Sequence, residues 1–199
     1  MKANIDKSQD FRDGMPFLGG ALWLDLANSS FTMDGDACDF LADDTSFARW
    51  AELAEIAIDP ASISAERLAA LRLRVLARGI LAQLDKGETL SNAQIDQLND
   101  TLVARALHER LQQVDGRLEL HLPDQVSGPK AAALIASDLA HFLSDHDPAR
   151  LKSCDSPTCS MVFYDRGKNN RRRWCTMAVC GNRDKVANYR ARRAGGKPA

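Results

Sequence analysis

The sequence predicts a mainly α-helical N-terminal domain with one small β-hairpin, followed by a small treble-clef-like module built around four cysteines. Three observations lead to this class. Apolar residues recur at three- and four-residue steps from about residue 46 to residue 146, four of the five cysteines fall within residues 154–180, and charge divides unevenly along the chain. The length of 199 residues suits one ordinary domain plus a small module, which we place at residues 1–146 and 147–199.

The first helices are marked by their apolar spacing. The run 21–28 is too short for periodicity to choose between helix and strand. Helical spacing becomes clear from about Ser46, and Pro60 ends that pattern. A second helix is expected from Ser64 to Gly87. Its predicted buried stripe consists of the larger apolar residues: Leu68, Leu71, Val75, Leu76, Ile80 and Leu84.

A third helix, a hairpin and a fourth helix complete the first domain. Ser91 and Gln94 form a capping-box pattern that opens the third helix. Asp115-Gly116 is a turn sequence, and the alternation that follows predicts a hairpin of residues 111–114 with residues 117–122. The fourth helix carries apolar residues at helical spacing: Leu134, Ile135, Leu139 and Phe142.

No membrane span or secretory signal is expected. The longest uncharged stretch with large apolar residues, 14–24, is too short to cross a bilayer. The N-terminus has an early charge at Asp6 and no apolar core followed by a small-residue cleavage site. We therefore expect a cytoplasmic protein.

The near-neutral net charge of −1 conceals a strong asymmetry. Residues 150–199 contain thirteen Lys and Arg against three Asp, a net charge of +10, whereas residues 1–149 carry −11. A basic module on an acidic body favours a polyanionic partner.

The clustered cysteines form two pairs: Cys154, Cys159, Cys175 and Cys180. Four residues separate the members of each pair and fifteen separate the pairs, so two chain reversals present four thiolates to one tetrahedral zinc ion. Turn formers lie at 155–157 and at Gly181. The expected order is a knuckle, a hairpin, a second knuckle and a terminal helix.

Other uses of these thiols are two disulfides, four unrelated buried side chains, or a redox or iron–sulfur site. A reducing cytoplasm disfavours disulfides, and the four-residue gaps lack the two-residue spacing of redox and ferredoxin motifs. We therefore expect one Zn²⁺ in a treble-clef-like four-cysteine zinc finger. Four thiolates leave no open coordination position, so the metal is predicted to be structural.

The finger region resembles the CGNR zinc finger, named for one tetrapeptide. The resemblance rests on Cys154-Asp-Ser-Pro-Thr-Cys159, Phe163-Tyr-Asp165, Arg172-Arg-Trp-Cys-Thr-Met177, Cys180-Gly-Asn-Arg183 and Lys185. The rest of the chain resembles, more weakly, the helical ABATE domain that precedes this finger in bacterial proteins regarded as stress-induced transcription regulators. Leu24-Asp25-Leu26-Ala27-Asn28-Ser29 is similar to that domain's N-terminal signature.

Basic residues of the finger form the candidate DNA surface. Residues 183–193 are expected to be helical, with Asn182 as the cap. A basic helix held by zinc can contact phosphates and base edges. The predicted contacts to duplex DNA are Arg171, Arg172, Arg173, Arg183, Lys185, Asn188, Arg190, Arg192 and Arg193. The alternatives are a solvated face or docking onto an acidic protein domain, and Trp174 is interpreted as finger core rather than a base-stacking platform.

Two residues outside the finger are candidates for a ligand pocket. Asp25 with Asn28 could line a pocket for a small-molecule effector, whereas in the structural interpretation, which we favour, Asn28 caps a turn. No nucleophile motif, Gly-rich phosphate loop or paired-acid pattern is present, so no enzyme activity is expected.

The sequence therefore predicts a zinc-dependent DNA-binding transcription regulator with a ligand- or stress-sensing N-terminal domain. A homodimer is possible, and the sequence does not decide the oligomeric state. The principal alternative is a zinc-organised protein–protein interaction adaptor. The third hypothesis is an enzyme that uses the helical domain.

Overall fold

The computed structural model describes residues 10–33, 36–103, 110–114, 117–121 and 129–193. Its α-helices are α1 Leu22–Ala27, α2 Asp44–Leu53, α3 Ile63–Asp85, α4 Asn92–Val103, α5 Lys130–Asp145 and α6 Asn182–Arg193. Short 3₁₀ turns occur at Pro60–Ser62 and Pro148–Arg150, and a π-helical turn at Met177–Gly181 leads into α6. None of the helices in these ranges has the length and apolar character needed to cross a membrane.

All strands of the described residues belong to two-stranded antiparallel pairs. They are β1 Phe11–Arg12, β2 Met15–Pro16, β3 Ser30–Met33, β4 Asp36–Asp39, β5 Arg110–Val114, β6 Arg117–His121, β7 Leu151–Ser153 and β8 Val162–Tyr164. Each strand pairs with its neighbour in chain order. The predicted class, mainly helical with small strand pairs and a cysteine cluster near the C-terminus, is confirmed.

Two strand pairs bear on the sequence predictions. β5 and β6 pair with Val114 opposite Arg117, as the turn sequence predicts, while that turn and Leu122 lie outside the described residues. β8 pairs with β7, the strand that precedes it in the chain, and Phe163 lies opposite Lys152. The finger's hairpin therefore encloses the first cysteine pair instead of lying between the two pairs, because β8 finds its partner upstream of Cys154.

The helical core is centred on α1, α3 and α5, which pack against one another. Trp23, Leu24 and Leu26 of α1 are completely buried, so this short helix lies in the middle of the domain. Phe47 and Trp50 of α2 are buried beside it. The residues 21–28, ambiguous in sequence, are thus a core helix.

The buried face of α3 differs from the predicted stripe. Leu76 and Ile80 are buried as expected, but Leu68 and Val75 are 47% and 72% exposed. Ala70 and Ala77 take the central positions. Since α1 and α5 both pack on α3, the side of this helix that carries Ala70 and Ala77 is buried, and Leu68 and Val75 lie on its exposed side.

Helix N-termini are capped both locally and across the fold. The predicted capping box is confirmed, because Ser91 N–H donates to Gln94 Oε1 at 2.9 Å and Gln94 N–H donates to Ser91 Oγ at 3.3 Å. Helix α5 has no side-chain cap from Pro129. Instead, the buried carboxylate of Glu66 accepts from Lys130 N–H and Ala131 N–H at 2.7 and 2.9 Å. This carboxylate ties α3 to α5 and complements the helix dipole.

Residues 10–33, here called the N-terminal arm, contact the finger as well as the helical core. Leu18 is buried in one apolar cluster with Met161 and Phe163 of the finger. The amide of Tyr164 donates to the carbonyl oxygen of Gly19 at 2.8 Å. The finger therefore packs on the helical domain through apolar contact and main-chain hydrogen bonds.

Candidate metal centre

The four clustered cysteines converge on one point in the structure. All four Sγ atoms lie within 4.8 Å of one another, and each belongs to a free cysteine. The Sγ of Cys175 is 3.8 Å from that of Cys159 and 3.6 Å from that of Cys180. A tetrahedron with zinc–sulfur distances of about 2.3 Å has sulfur–sulfur edges of about 3.8 Å. The thiols therefore fit a single tetrahedral metal ion.

The first cysteine pair is held by the turn between β7 and β8. Cys154 N–H donates to the carbonyl oxygen of Met161 at 2.9 Å, and Cys159 N–H donates to that of Ser156 at 3.1 Å. These bonds fold residues 154–161 into a knuckle that presents both sulfurs to the same side.

The second pair is held by the π-helical turn. Thr176 caps this turn, since its Oγ1 accepts from Ala178 N–H at 3.3 Å. Gly181 N–H donates to the carbonyl oxygen of Thr176 at 3.1 Å. The side chain of Asn182 donates back to the carbonyl oxygen of Ala178 at 3.1 Å, so the predicted capping role of Asn182 is wrong. Asn182 is the first residue of α6 and directly follows the π-helical turn that Thr176 caps.

The crowded thiols cannot all ionise by themselves. Hydrogen bonding from Cys175 lowers the pKa of Cys159 to about 5. Burial raises the pKa of Cys180 to about 12, and a hydrogen bond with Cys159 together with burial raises the pKa of Cys175 beyond its ordinary range. A divalent cation removes this conflict, because coordinated thiols are deprotonated outright. The donor set is that of a zinc site.

The basic segment Arg171–Arg173 is ordered by the buried carboxylate of Asp165. Its Oδ2 accepts from the backbone N–H of Arg172 at 2.8 Å and from Lys152 Nζ at 3.1 Å. Lys152 Nζ also donates to the carbonyl oxygen of Asn170 at 2.7 Å. The segment therefore leaves the hairpin in a fixed conformation and ends two residues before the second cysteine pair.

Arg172 holds the finger together from inside. Its guanidinium donates to the carbonyl oxygens of Trp174 at 3.1 Å, Leu18 at 3.3 Å and Cys175. It also lies 4.2 Å from the centroid of the Phe163 ring. These contacts link the N-terminal arm, the hairpin and the second cysteine pair, and they use three of the five N–H donors of this guanidinium within the protein.

The two neighbouring arginines face solvent. Arg173 pairs with Asp155 at 2.7 Å and lies 4.8 Å from the centroid of the Trp174 ring. Trp174 is half-buried against the finger core, as the sequence interpretation has it. Arg171 is exposed and makes no hydrogen bond or ion pair with any residue that the structure describes.

Helix α6 buries none of its side chains. Its Asn188 Nδ2 donates to Asp184 Oδ2 at 3.0 Å, and Arg183 is half-buried. The cations of α6 that are exposed without a hydrogen bond or ion pair to the described residues are Lys185, Arg190 and Arg192. Arg193 is exposed and lies 5.8 Å from the centroid of the Tyr189 ring.

The two basic elements border one groove. It has a volume of about 810 Å³, and its walls include Arg171, Arg172 and Arg173 from the first element and Asn182 and Lys185 from the second. The sequence proposes two separate basic stretches, and the structure brings them together next to the thiol cluster.

Asn28 joins the helical domain to the finger. Its Nδ2 donates to the carbonyl oxygen of Val162 at 2.7 Å, and its Oδ1 accepts from Val162 N–H at 3.0 Å. The amide thereby takes the place of a strand neighbour for β8. Asn28 also lines a groove of about 350 Å³ with Arg78 and Ser160.

Asp25 acts within the N-terminal arm. It is buried, and its Oδ1 accepts from Gly19 N–H at 2.8 Å. Burial raises the pKa of Asp25 to about 7, with Asp138 adding to the shift and Gly19 N–H and Arg12 opposing it. Both candidate pocket residues thus bind backbone groups, and no local signal in the sequence indicates their partners.

A helical domain joined to a four-thiol metal centre and an exposed basic helix defines a zinc-finger protein. The chain matches the family model ABATE, described as a putative stress-induced transcription regulator, over residues 20–146, and the CGNR zinc finger model over residues 150–193. The first match covers more than half of the chain, so the protein belongs to the ABATE family and carries a CGNR zinc finger. No curated protein matches the sequence.

We expect Asn28→Ala to lower the free energy of unfolding by about 2 kcal/mol, because both main-chain groups of Val162 lose their partner. Urea unfolding of the zinc-loaded chain measures this loss. Asn99→Ala, at an exposed position of α4, is the matched control and should change stability by less than about 0.5 kcal/mol. Equal effects of the two substitutions would contradict the role given to Asn28.

We expect Asp25→Asn to change the pH dependence of stability. The folded-state pKa lies above the unfolded value, so ionisation of Asp25 costs stability as pH rises through the range from about 4 to about 7. Between pH 6 and 8, stability of the wild type relative to Asp25→Asn should fall by about 1 kcal/mol. Denaturant unfolding at both pH values tests this, with the exposed Asp96→Asn as control. Parallel pH profiles for wild type and Asp25→Asn would refute it.

Proposed function

We propose that the protein is a DNA-binding transcription regulator whose DNA surface is organised by one structural zinc ion. The convergence of metal centre and basic elements carries this proposal. Arg171–Arg173 ends two residues before Cys175, and α6 begins two residues after Cys180. Metal bound by these cysteines therefore fixes both walls of the basic groove.

Cys154, Cys159, Cys175 and Cys180 are proposed as the zinc ligands. When bound, zinc neutralises the thiolates and cross-links the hairpin to the π-helical turn. Structural zinc contributes about 10–16 kcal/mol of apparent binding free energy in zinc-finger peptides, enough to decide whether a module of this size folds. Four thiolates fill the tetrahedron, which supports a structural role.

The exposed cations are proposed as phosphate contacts: Arg171, Lys185, Arg190 and Arg192. Arg173 and Arg193 are exposed at the same surface and stack on aromatic rings. Arg172, Arg183 and Asn188 are assigned to positioning, because they are half-buried in the finger. This division refines the nine residues that the sequence proposes.

The helical domain is proposed to carry the ligand- or stress-sensing function. Support comes from its direct contact with the finger at Asn28 and from the groove of about 350 Å³ at that junction. A ligand in that groove would contact both parts, and ligand sites favour such junctions.

The full chain should contain one zinc ion, which native mass spectrometry measures. Cys175→Ser removes a buried ligand and should abolish stoichiometric zinc, and Cys159→Ser, at a half-buried position, should weaken zinc binding. In both variants a Co²⁺-loaded sample should show a weaker thiolate-to-metal absorption than the wild type. Cys38→Ser is the matched control and should keep one zinc ion. Full zinc content in Cys175→Ser would overturn the assignment.

Affinity for duplex DNA should fall with salt, with a slope in log K against log salt of about −0.9 for each phosphate contact. Replacing Arg171, Lys185 and Arg192 together by Ala should flatten that slope by about 2 to 3 and weaken binding. Fluorescence anisotropy over a salt series measures both quantities.

The control triple variant removes three exposed cations outside the finger: Arg72, Lys86 and Lys130. It changes the net charge equally and should keep the wild-type slope. An unchanged slope in the finger variant would favour the protein-interaction adaptor instead.

A further inference from the structure

Helix α6 exposes apolar side chains that phosphate binding does not explain. Val186 is 49% exposed and Tyr189 is 61% exposed, on a helix whose other exposed residues are mostly cationic. Met177 extends this apolar surface at the N-terminal end of the helix, with 46% exposure. A face that contacted only phosphates would gain nothing from these side chains.

The apolar residues lie between cations around the helix axis. At about 100° per residue, Tyr189 lies about 40° from Lys185, Val186 about 100° and Arg190 about 140° in the same direction. Arg192 lies about 20° beyond Lys185 on the other side. Asn182 and Arg193 lie at about 60° and 80° in that direction, in the first and last turns of the helix. Between these two ends, the exposed face of α6 is an apolar strip of Val186 and Tyr189 with a cationic flank along each edge.

This layout matches a helix in the major groove of DNA. The groove is about 12 Å wide and admits an α-helix, so the two flanks face the two phosphate backbones and the strip faces the base edges. The C5-methyl group of thymine is the apolar group that those edges present. A protein partner could use the apolar strip but would not require cations along both edges.

We propose that α6 reads thymine methyl groups in the major groove through Val186 and Tyr189. This inference rests on the proposed function, since it names the DNA feature that the same surface recognises. Lys185 and Arg192 contact one phosphate backbone of the DNA, and Arg190 contacts the other. These contacts set how deeply the helix enters the major groove. Arg193 stacks on Tyr189 and limits the movement of its ring.

The test measures binding of the full chain to two short DNA duplexes. One has alternating adenine and thymine, and the other has deoxyuridine in place of thymidine. The second differs only by the missing methyl groups. Zinc-loaded wild type should bind the thymine duplex more tightly, by about fourfold for each methyl group that is buried. Val186→Ala and Tyr189→Ala should reduce this preference while keeping the salt slope, because neither changes charge.

Val75→Ala, an exposed valine of α3, is the matched control and should keep the preference. Circular dichroism and zinc content establish that the α6 variants are folded. Equal binding of the two duplexes by the wild type, with salt dependence intact, would overturn methyl recognition and leave DNA binding standing. A preference that survives in both α6 variants would also overturn it. Failure to bind either duplex at low salt would remove the proposed function itself.

Discussion

The finger has a shortage of apolar side chains, and the rest of the structure is arranged around it. Within residues 147–193, the large apolar side chains that are completely buried are Met161 and Phe163, beside three buried cysteines. A module of this size cannot bury enough surface to be stable through its core alone. Leu18 of the N-terminal arm completes the cluster, and metal coordination supplies the remaining cross-links. The basic surface therefore depends on residues far away in the sequence.

The family signature at residues 24–29 has a structural role that follows from the same dependence. Asn28 and Asp25 look like pocket residues because they are polar within an apolar run. Their partners are main-chain groups at Val162 and Gly19, so each satisfies backbone that would otherwise be buried without a hydrogen bond. Through Asn28, the helical domain fixes the position of β8 and, with it, the position of the cysteine knuckle.

Local patterns predicted helices α2 to α6, the capping box at Ser91 and the cysteine cluster, because spacing alone encodes each of them, whereas α1 is too short for periodicity to identify. The orientation of α3 was not predictable in this way: it carries large apolar residues on two sides, and the identity of its neighbours decides which side is buried. Pairings such as Glu66 with the start of α5 join elements distant in sequence and leave no periodic signal. Arg171 and Arg172 are equivalent in sequence, and tertiary contacts distinguish them, because the guanidinium of Arg172 reaches carbonyl oxygens and the ring of Phe163.

The contact between the N-terminal arm and the finger also limits how freely these parts can be exchanged between proteins. Residues 147–199 are contiguous and could be transferred to another protein as a unit. The transferred finger would then lack Leu18, which covers part of its core, and Asn28, which binds the edge of β8. Recombination at the linker would succeed only where the recipient offers an equivalent arm. Fingers and helical domains of this kind are thus expected to be inherited together, with compensating changes at the junction.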